Sequence, residues 1–421
     1  MTTLQNFSDA TQITDFSGQM ADIAARIDAG ERLSLDDGRF LYETPDIWSL
    51  CTLADRVRRR LHNDTAYYNI NQHLNYTNVC ALSCKFCEFY RKKGQDGAYE
   101  MSIQQVQQQA EKAKDAGATE IHIVGGLHPY MPFEYYTDML RAIREVAPQI
   151  HIKAFTAVEI VHFARISKRP HDLLGVLKDL KEAGLGSLPG GGAEVFDDRA
   201  HDEAFKGKIR GDAWIKVHRL AHQVGMNSNA TMLYGHIESI DDRLNHMDLL
   251  RRAQDEALLR MNYAPNEQGA VTLTGSGVKI PSPDMPTGYF QAFIPLPFFP
   301  DGSEFEHLPG PDGLENLRTL AISRLLLDNF PHIKTFWIMQ TLPMSQLMLQ
   351  CGADDIDGTV VWYDITKVDG SGTHQETTAR DLCNAIREAG FTPVERDTLY
   401  RTVQRNGAEW SLAGDGPAAK G

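Results

Sequence analysis

Cys80, Cys84 and Cys87 stand close together in the run Asn75-Tyr76-Thr77-Asn78-Val79-Cys80-Ala81-Leu82-Ser83-Cys84-Lys85-Phe86-Cys87. Thiolate sulfur at this C-x3-C-x2-C spacing suits an iron–sulfur cluster, which cysteine holds. A [4Fe–4S] cube has four irons, so three protein ligands leave one iron open to an outside molecule, and an open iron is a reactive site. A closed structural zinc site needs a fourth Cys or His at a compatible position. His73 lies seven residues upstream of Cys80, while Cys51, Cys351 and Cys383 are isolated and distant, as buried apolar cysteines would be. Six cysteines in 421 residues are too sparse for a disulfide framework. The spacing therefore favours a reactive cluster over a non-catalytic iron–sulfur or zinc protein.

Other residues could do chemistry beside it. Gly125-Gly126 follows an apolar segment, and a residue without Cβ lets its backbone come close to a ligand, although a plain turn would also use the pair. Gly190-Gly191-Gly192 with Glu194 reads the same way, as a ligand-facing loop or a flexible turn. His236 with Glu238, and Thr156 with Glu159, lie just past apolar segments and are candidate catalytic or substrate-binding groups. Phe86, beside Cys87, is either a ligand-stacking ring or packing under the loop. His128, Lys153, Arg199 and Arg210 are further candidates, with the three basic residues read as solvated groups.

These residues need a frame. Short apolar, β-branched segments alternate with helical patterns, which predicts parallel strands in βα units. The strands are expected at 67–76, 120–124, 150–155, 185–188, 226–233, 290–296, 333–339 and 358–362. One helix begins at Ser102, with Gln105 as its capping partner, and others fit near 133–146, 172–183, 212–224, 241–257, 314–329 and 378–389. Eight alternations give an α/β fold, a (βα)8 TIM-type barrel over 66–375, with an N-terminal helical extension (1–65) and a C-terminal helix and tail (376–421). In such barrels the active site sits at the C-terminal ends of the strands, and the cysteine loop and the segments 125–129, 156–159, 189–194, 234–238 and 295–300 each follow a strand. Residues 258–287, rich in Gly, Pro, Ser and Asn, break the rhythm and are expected on the opposite face, in a peripheral role such as subunit contact.

Composition narrows the class. A formal charge of −14 argues against a general nucleic-acid binder, and no apolar stretch reaches the length of a membrane span. The polar start carries no secretory signal, so a reducing cytoplasm is expected.

Taken together, the cysteine loop, Gly125 to Pro129, Lys153 to Glu159, Pro189 to Glu194, Tyr234 to Glu238 and Gln291 to Pro295 resemble the aminofutalosine synthase family of the radical S-adenosylmethionine (SAM) superfamily. The resemblance covers about residues 65–365 and departs at 258–287 and 362–375. It implies a [4Fe–4S] cluster on Cys80, Cys84 and Cys87, with SAM on the open iron. Gly125 and Gly126 would approach the methionine amino group, Phe86 would lie beside adenine, and Glu194 would meet the ribose or amino group. It further implies addition of the 5′-deoxyadenosyl radical to 3-[(1-carboxyvinyl)oxy]benzoate, an aromatic dicarboxylate. His236, Thr156 and an unidentified basic residue would bind its carboxylates. A reducing partner such as flavodoxin or ferredoxin is implied, and a homodimer stays open. The sister enzyme acting on dehypoxanthine futalosine shares the cysteine and glycine motifs and is the nearest alternative.

Overall fold

A computed structural model describes residues 16–275, 279–282, 285–360 and 377–413. Its centre is a ring of parallel strands: β1 (Thr65–Asn69), β2 (Asn71–Leu74), β3 (Glu120–Ile123), β4 (His151–Ala154), β5 (Ser228–Tyr234), β6 (Phe290–Pro297), β7 (His332–Ile333) and β8 (Asp355–Gly358). β1 runs straight on into β2, and β2, β3 and β4 pair in simple register, His73 beside His122 and His122 beside Lys153. Ser187 bridges to Lys153 and Leu188 to Ser228, so the fourth staff of the barrel is only two paired residues. β5, β6 and β7 continue the ladder, Lys334 bridges to Asp355, and β8 pairs with β1. The ring closes as the expected (βα)8 barrel.

Three expectations shift. The segment read as a strand over 333–339 pairs only to Lys334, and Trp337–Gln340 turns into a short helix whose Trp337 Nε1 donates to the Gly358 carbonyl (2.8 Å). A short apolar run fits a buried helix as well as a strand, so periodicity could not separate them. The eighth strand starts earlier than expected, at Asp355, and ends at Gly358, while the last two residues of the segment read for it (361–362) lie outside the described residues. Asp355 and Asp357 disguise it, since buried carboxylates are tolerated only where cations meet them, here Arg396 and Lys334. The tail is not merely extended: β9 (Thr392–Glu395) pairs in parallel with β1, and β10 (Val403–Asn406) with β11 (Glu409–Leu412) forms a hairpin.

The N-terminal extension is helical at Gly18–Asp28, Leu35–Glu43 and Ile47–His62. The middle helix, missed in the sequence, is opened by a Ser34–Asp37 capping box. The third helix buries Leu50, Leu53, Ala54 and Val57, and packs on Gly313–Leu326. Described parts of 258–287 make contacts with this extension. Arg32 donates from its backbone to Gln268, Thr272 Oγ1 donates to the Gly30 carbonyl, and Arg60 reaches the Thr274 carbonyl.

If the extension is part of the barrel's core, Leu53→Ala lowers unfolding free energy by about 3 kcal/mol, whereas Trp48→Ala on the exposed face changes it by about 0.5 kcal/mol or less. Denaturant melts of the two variants measure this.

Candidate active site

The cysteine loop leaves the top of β2 and is anchored on itself and on its neighbour. Cys80 N–H donates to the Arg91 carbonyl (3.0 Å) and Arg91 N–H to that of Asn78 (2.8 Å). The Lys92 ammonium donates to three successive carbonyls, of Cys80, Ala81 and Leu82, at 3.1, 3.2 and 2.8 Å. Ala81 N–H donates to the Leu127 carbonyl (2.9 Å), and Leu127 N–H points back at Cys80 Sγ (3.4 Å).

All three cysteines are free thiols and line one cavity of about 350 Å³ at the mouth of the barrel. Among the described residues, the trio of potential ligands packed within 4.8 Å is His62, His332 and Asp354, not the cysteines. Three sulfurs spread that widely are too far apart for one tetrahedral ion, whose Zn–S bonds near 2.3 Å set sulfurs about 3.8 Å apart. They suit a cube whose irons are separate corners. No other cysteine lines the cavity. Burial pushes the Cys84 thiol up to about 11 and raises Cys87, against the pull of nearby Lys208, so metal must displace their protons. The residues present fit a [4Fe–4S] cluster with one open iron.

Phe86, Gly125, Gly126, Thr156, Glu159 and Glu194 line the same cavity. The glycine pair has a reason inside the protein. A Cβ on Gly126 would lie 2.3 Å from the Val79 carbonyl oxygen, and one on Gly125 would lie 2.6 Å from the Tyr76 ring. Their N–H groups are taken by Thr77 O and Glu159 Oε1, at 2.9 and 3.2 Å. The pair thus lets the second loop close on the cysteine loop. Glu194 has the left-handed φ of +49° and is ion-paired to Lys208, whose ammonium also lies 5.0 Å above the Phe86 ring. Phe86 packs edge-on against Phe205.

Thr156 and Glu159 form a helix capping box, opening the helix Ala157–Ile166, a segment to which the sequence reading assigned no element. Glu159 Oε2 accepts from Thr156 N–H (2.7 Å) and its hydroxyl (2.9 Å), while Oε1 accepts from Tyr76 OH (2.8 Å) and Gly125 N–H. With both oxygens engaged, Glu159 is a positioning residue. His236 stands outside the cavity: its Nε2 faces the Leu233 carbonyl (3.2 Å) and its Nδ1 faces Glu238 (3.2 Å). Glu238 in turn accepts from Gly235 and His236 N–H and from Arg243. The turn after β5 folds His236, read as a carboxylate binder, back on its own strand. His128 is structural, paired with Glu100 (2.8 Å), while Arg199 and Arg210 face solvent in surface ion pairs.

Lys153 overturns its reading as a solvated group. It is buried on the cavity floor, 2.6 Å from Glu120, together with His73, His122 and the pair Lys334–Asp357 (2.9 Å). The sequence carried a signal for these residues. In Glu120-Ile121-His122-Ile123 and His151-Ile152-Lys153, polar residues alternate with apolar ones, so one face of each strand is polar. In a barrel one face is the interior.

Burial raises the Glu159 carboxyl to about 7 from 4.5, against its four hydrogen bonds. Between those values the folded chain keeps the proton that the unfolded chain has lost. Stability from this group therefore falls as pH rises from about 4.5 to about 7, by at most about 3 kcal/mol, and is level above. Glu159→Gln removes that slope, so the stability gap between wild type and variant narrows over this range in denaturant melts at stepped pH.

Known proteins match this geometry. Residues 74–250 match the radical SAM superfamily and residues 287–408 the CofH/MqnC C-terminal region. The aminodeoxyfutalosine synthase of Thermus thermophilus is 42% identical over 91% of this chain and 95% of its own. That of Streptomyces coelicolor is 40% identical over 92% and 95%. A 5-amino-6-(D-ribitylamino)uracil–L-tyrosine 4-hydroxyphenyl transferase of Methanopyrus kandleri is 32% identical over 91% and 95%. Methylornithine synthase shares the fold, with a TM-score of 0.65 at 15% identity over 88% of this chain and 97% of that one. Similarity at this level over nearly the whole length, on a barrel whose mouth gathers three cysteines, makes the chain an enzyme of the radical SAM superfamily, in the family of the aminodeoxyfutalosine synthases.

Proposed function

We propose that this enzyme joins the adenosyl part of SAM to 3-[(1-carboxyvinyl)oxy]benzoate, giving aminofutalosine, methionine and bicarbonate or CO2, as a step of menaquinone biosynthesis. The observation that carries the reading is the convergence of Cys80, Cys84 and Cys87 on one cavity in a chain similar along its length to aminodeoxyfutalosine synthases.

Cys80, Cys84 and Cys87 would hold the cluster. Cluster and SAM, when bound, supply a 5′-deoxyadenosyl radical. The chain's own residues do the rest. Phe86, the Gly125–Gly126 backbone and Glu194 line the space between the cysteines and the cavity wall, where SAM belongs. Leu82, Leu127, Val158, Leu233, Leu296 and Phe298 make that wall apolar and keep out the water that would quench a radical. Glu159, through Tyr76 and Gly125, fixes the distance between the cysteine loop and the loop after β3. An electron must come from outside, and a small carrier such as flavodoxin or ferredoxin is the partner this requires. The match to the CofH/MqnC C-terminal region supports one second reading, the sister enzyme in which SAM only abstracts hydrogen.

Anaerobically reconstituted, reduced protein incubated with SAM and the enol-ether benzoate decides between them by mass analysis. The expected product contains the adenosyl carbon skeleton; release of free 5′-deoxyadenosine with no such product refutes the synthase reading. Cys84→Ala abolishes SAM cleavage.

A further inference from the structure

The cavity has two unlike ends. Toward the mouth it is flanked by the cysteines and mostly apolar, with the ion pair Glu194–Lys208 beside them, and at the bottom it is ionic. Strand register fixes the ionic level. His73, His122 and Lys153 are direct neighbours across β2, β3 and β4, so they share one height and one face. Lys334, just past β7, and Asp357 on β8 come in from the other side of the ring. Barrels ordinarily fill such levels with branched apolar side chains.

Two buried ammonium groups on one cavity are costly. Lys153 and Lys334 are each 4% exposed, and each lies within range of the other's charge. Glu120 and Asp357 neutralise them, which keeps the chamber tolerable, but well-packed apolar residues would serve stability as well. An ammonium has three N–H donors; Lys334 spends one on Asp357 (2.9 Å), while Lys153 stands in an ion pair with Glu120 (2.6 Å). Among the described residues no further protein acceptor meets either Nζ, and both side chains border open space. His122 Nε2, on the same floor, is also buried without a hydrogen-bond partner. Both ammonium groups border the cavity, one from each side of the ring. A carboxylate supplies two oxygens and takes charge-assisted hydrogen bonds from both lysines at once.

We propose that Lys153 and Lys334 form the receptor for the ring carboxylate of the substrate, and so set which way round it binds. The inference rests on the function proposed above. The substrate's carboxyvinyl carboxylate is attached to the reacting double bond and must stay near the cysteines at the mouth. The ring carboxylate is the end remote from that bond and is the one that can reach the floor. The aromatic ring then lies along the apolar wall between. Lys153, a carboxylate candidate that the sequence reading left as a solvated group, and Lys334 would thereby be the unidentified basic residues.

The test is equilibrium binding to reconstituted, unreduced enzyme by titration calorimetry. It compares the full substrate with 2-phenoxyacrylate, which lacks only the ring carboxylate. Wild type is expected to prefer the full substrate by about 30-fold, as a buried charge-assisted contact would give. The charge-neutral double variants Lys153→Met/Glu120→Gln and Lys334→Met/Asp357→Asn should each lose most of that preference. Their affinity for 2-phenoxyacrylate and their iron content should stay within a few-fold of wild type. Lys153→Gln and Lys334→Gln replace them should either double variant fail to fold. The proposal is overturned if wild type binds both compounds equally, or if folded, iron-replete variants keep the preference. A wild type that turns over no enol-ether benzoate while still showing lysine-dependent preference for ring carboxylates would instead sink the reaction proposed above and leave the receptor standing.

Discussion

One carboxylate ties the reactive end of the barrel together. Glu159 touches three consecutive staves: Tyr76 at the end of the first, Gly125 after the second and Thr156 after the third. Loops at a barrel mouth are otherwise joined only through their own strands, and a cluster held from one loop must face a ligand held from the next. A shift of one loop against the other would spoil that alignment, because productive geometry tolerates errors of only about half an ångström. Glu159 is buried to do this, and its raised proton affinity records the cost of placing a carboxylate where water cannot reach.

The same cost recurs down the axis. Below the cavity floor, Asp355 meets Arg396, and Asp354 meets Arg324 and His332. These groups are solvated by one another, alternating in sign, in place of water. Burial lowers His62 to about 3 and also lowers His332, while their proximity and that of Arg324 hold Asp354 well below the usual carboxylate range. His62, His332 and Asp354 sit within metal-ligand distance of one another, yet the Arg324 guanidinium already occupies Asp354 Oδ1. A cation is in place there, and it belongs to the chain.

The helices were the most legible elements, because capping residues mark their starts: Ser102 before Ile103–Asp115 and Asp172 before Leu173–Ala183. The signal was misread where it met chemistry. Thr156 and Glu159 form the same kind of box as Ser102 and Gln105, but their place at a strand end made them look catalytic. Strands were less legible where they were short or charged. The fourth is two bridged residues, and the eighth is spelled Asp-Ile-Asp-Gly. β9 was hidden for another reason: it joins the sheet beside β1, hundreds of residues earlier in the chain, and no local pattern reports so distant a neighbour.

The cysteine spacing by itself pointed to a cluster with an open corner, since ligand count and ligand spacing are properties of a short segment. The alternation of strand and helix likewise determined a barrel, because parallel neighbours require a crossover between them. Only the tertiary structure decided which side chains share the cavity. It turned His236 away, made Glu159 a clamp and brought Lys153 and Lys334 to one floor from strands far apart in sequence. Which face of a strand becomes the interior is settled by closure of the ring, and closure depends on every staff at once.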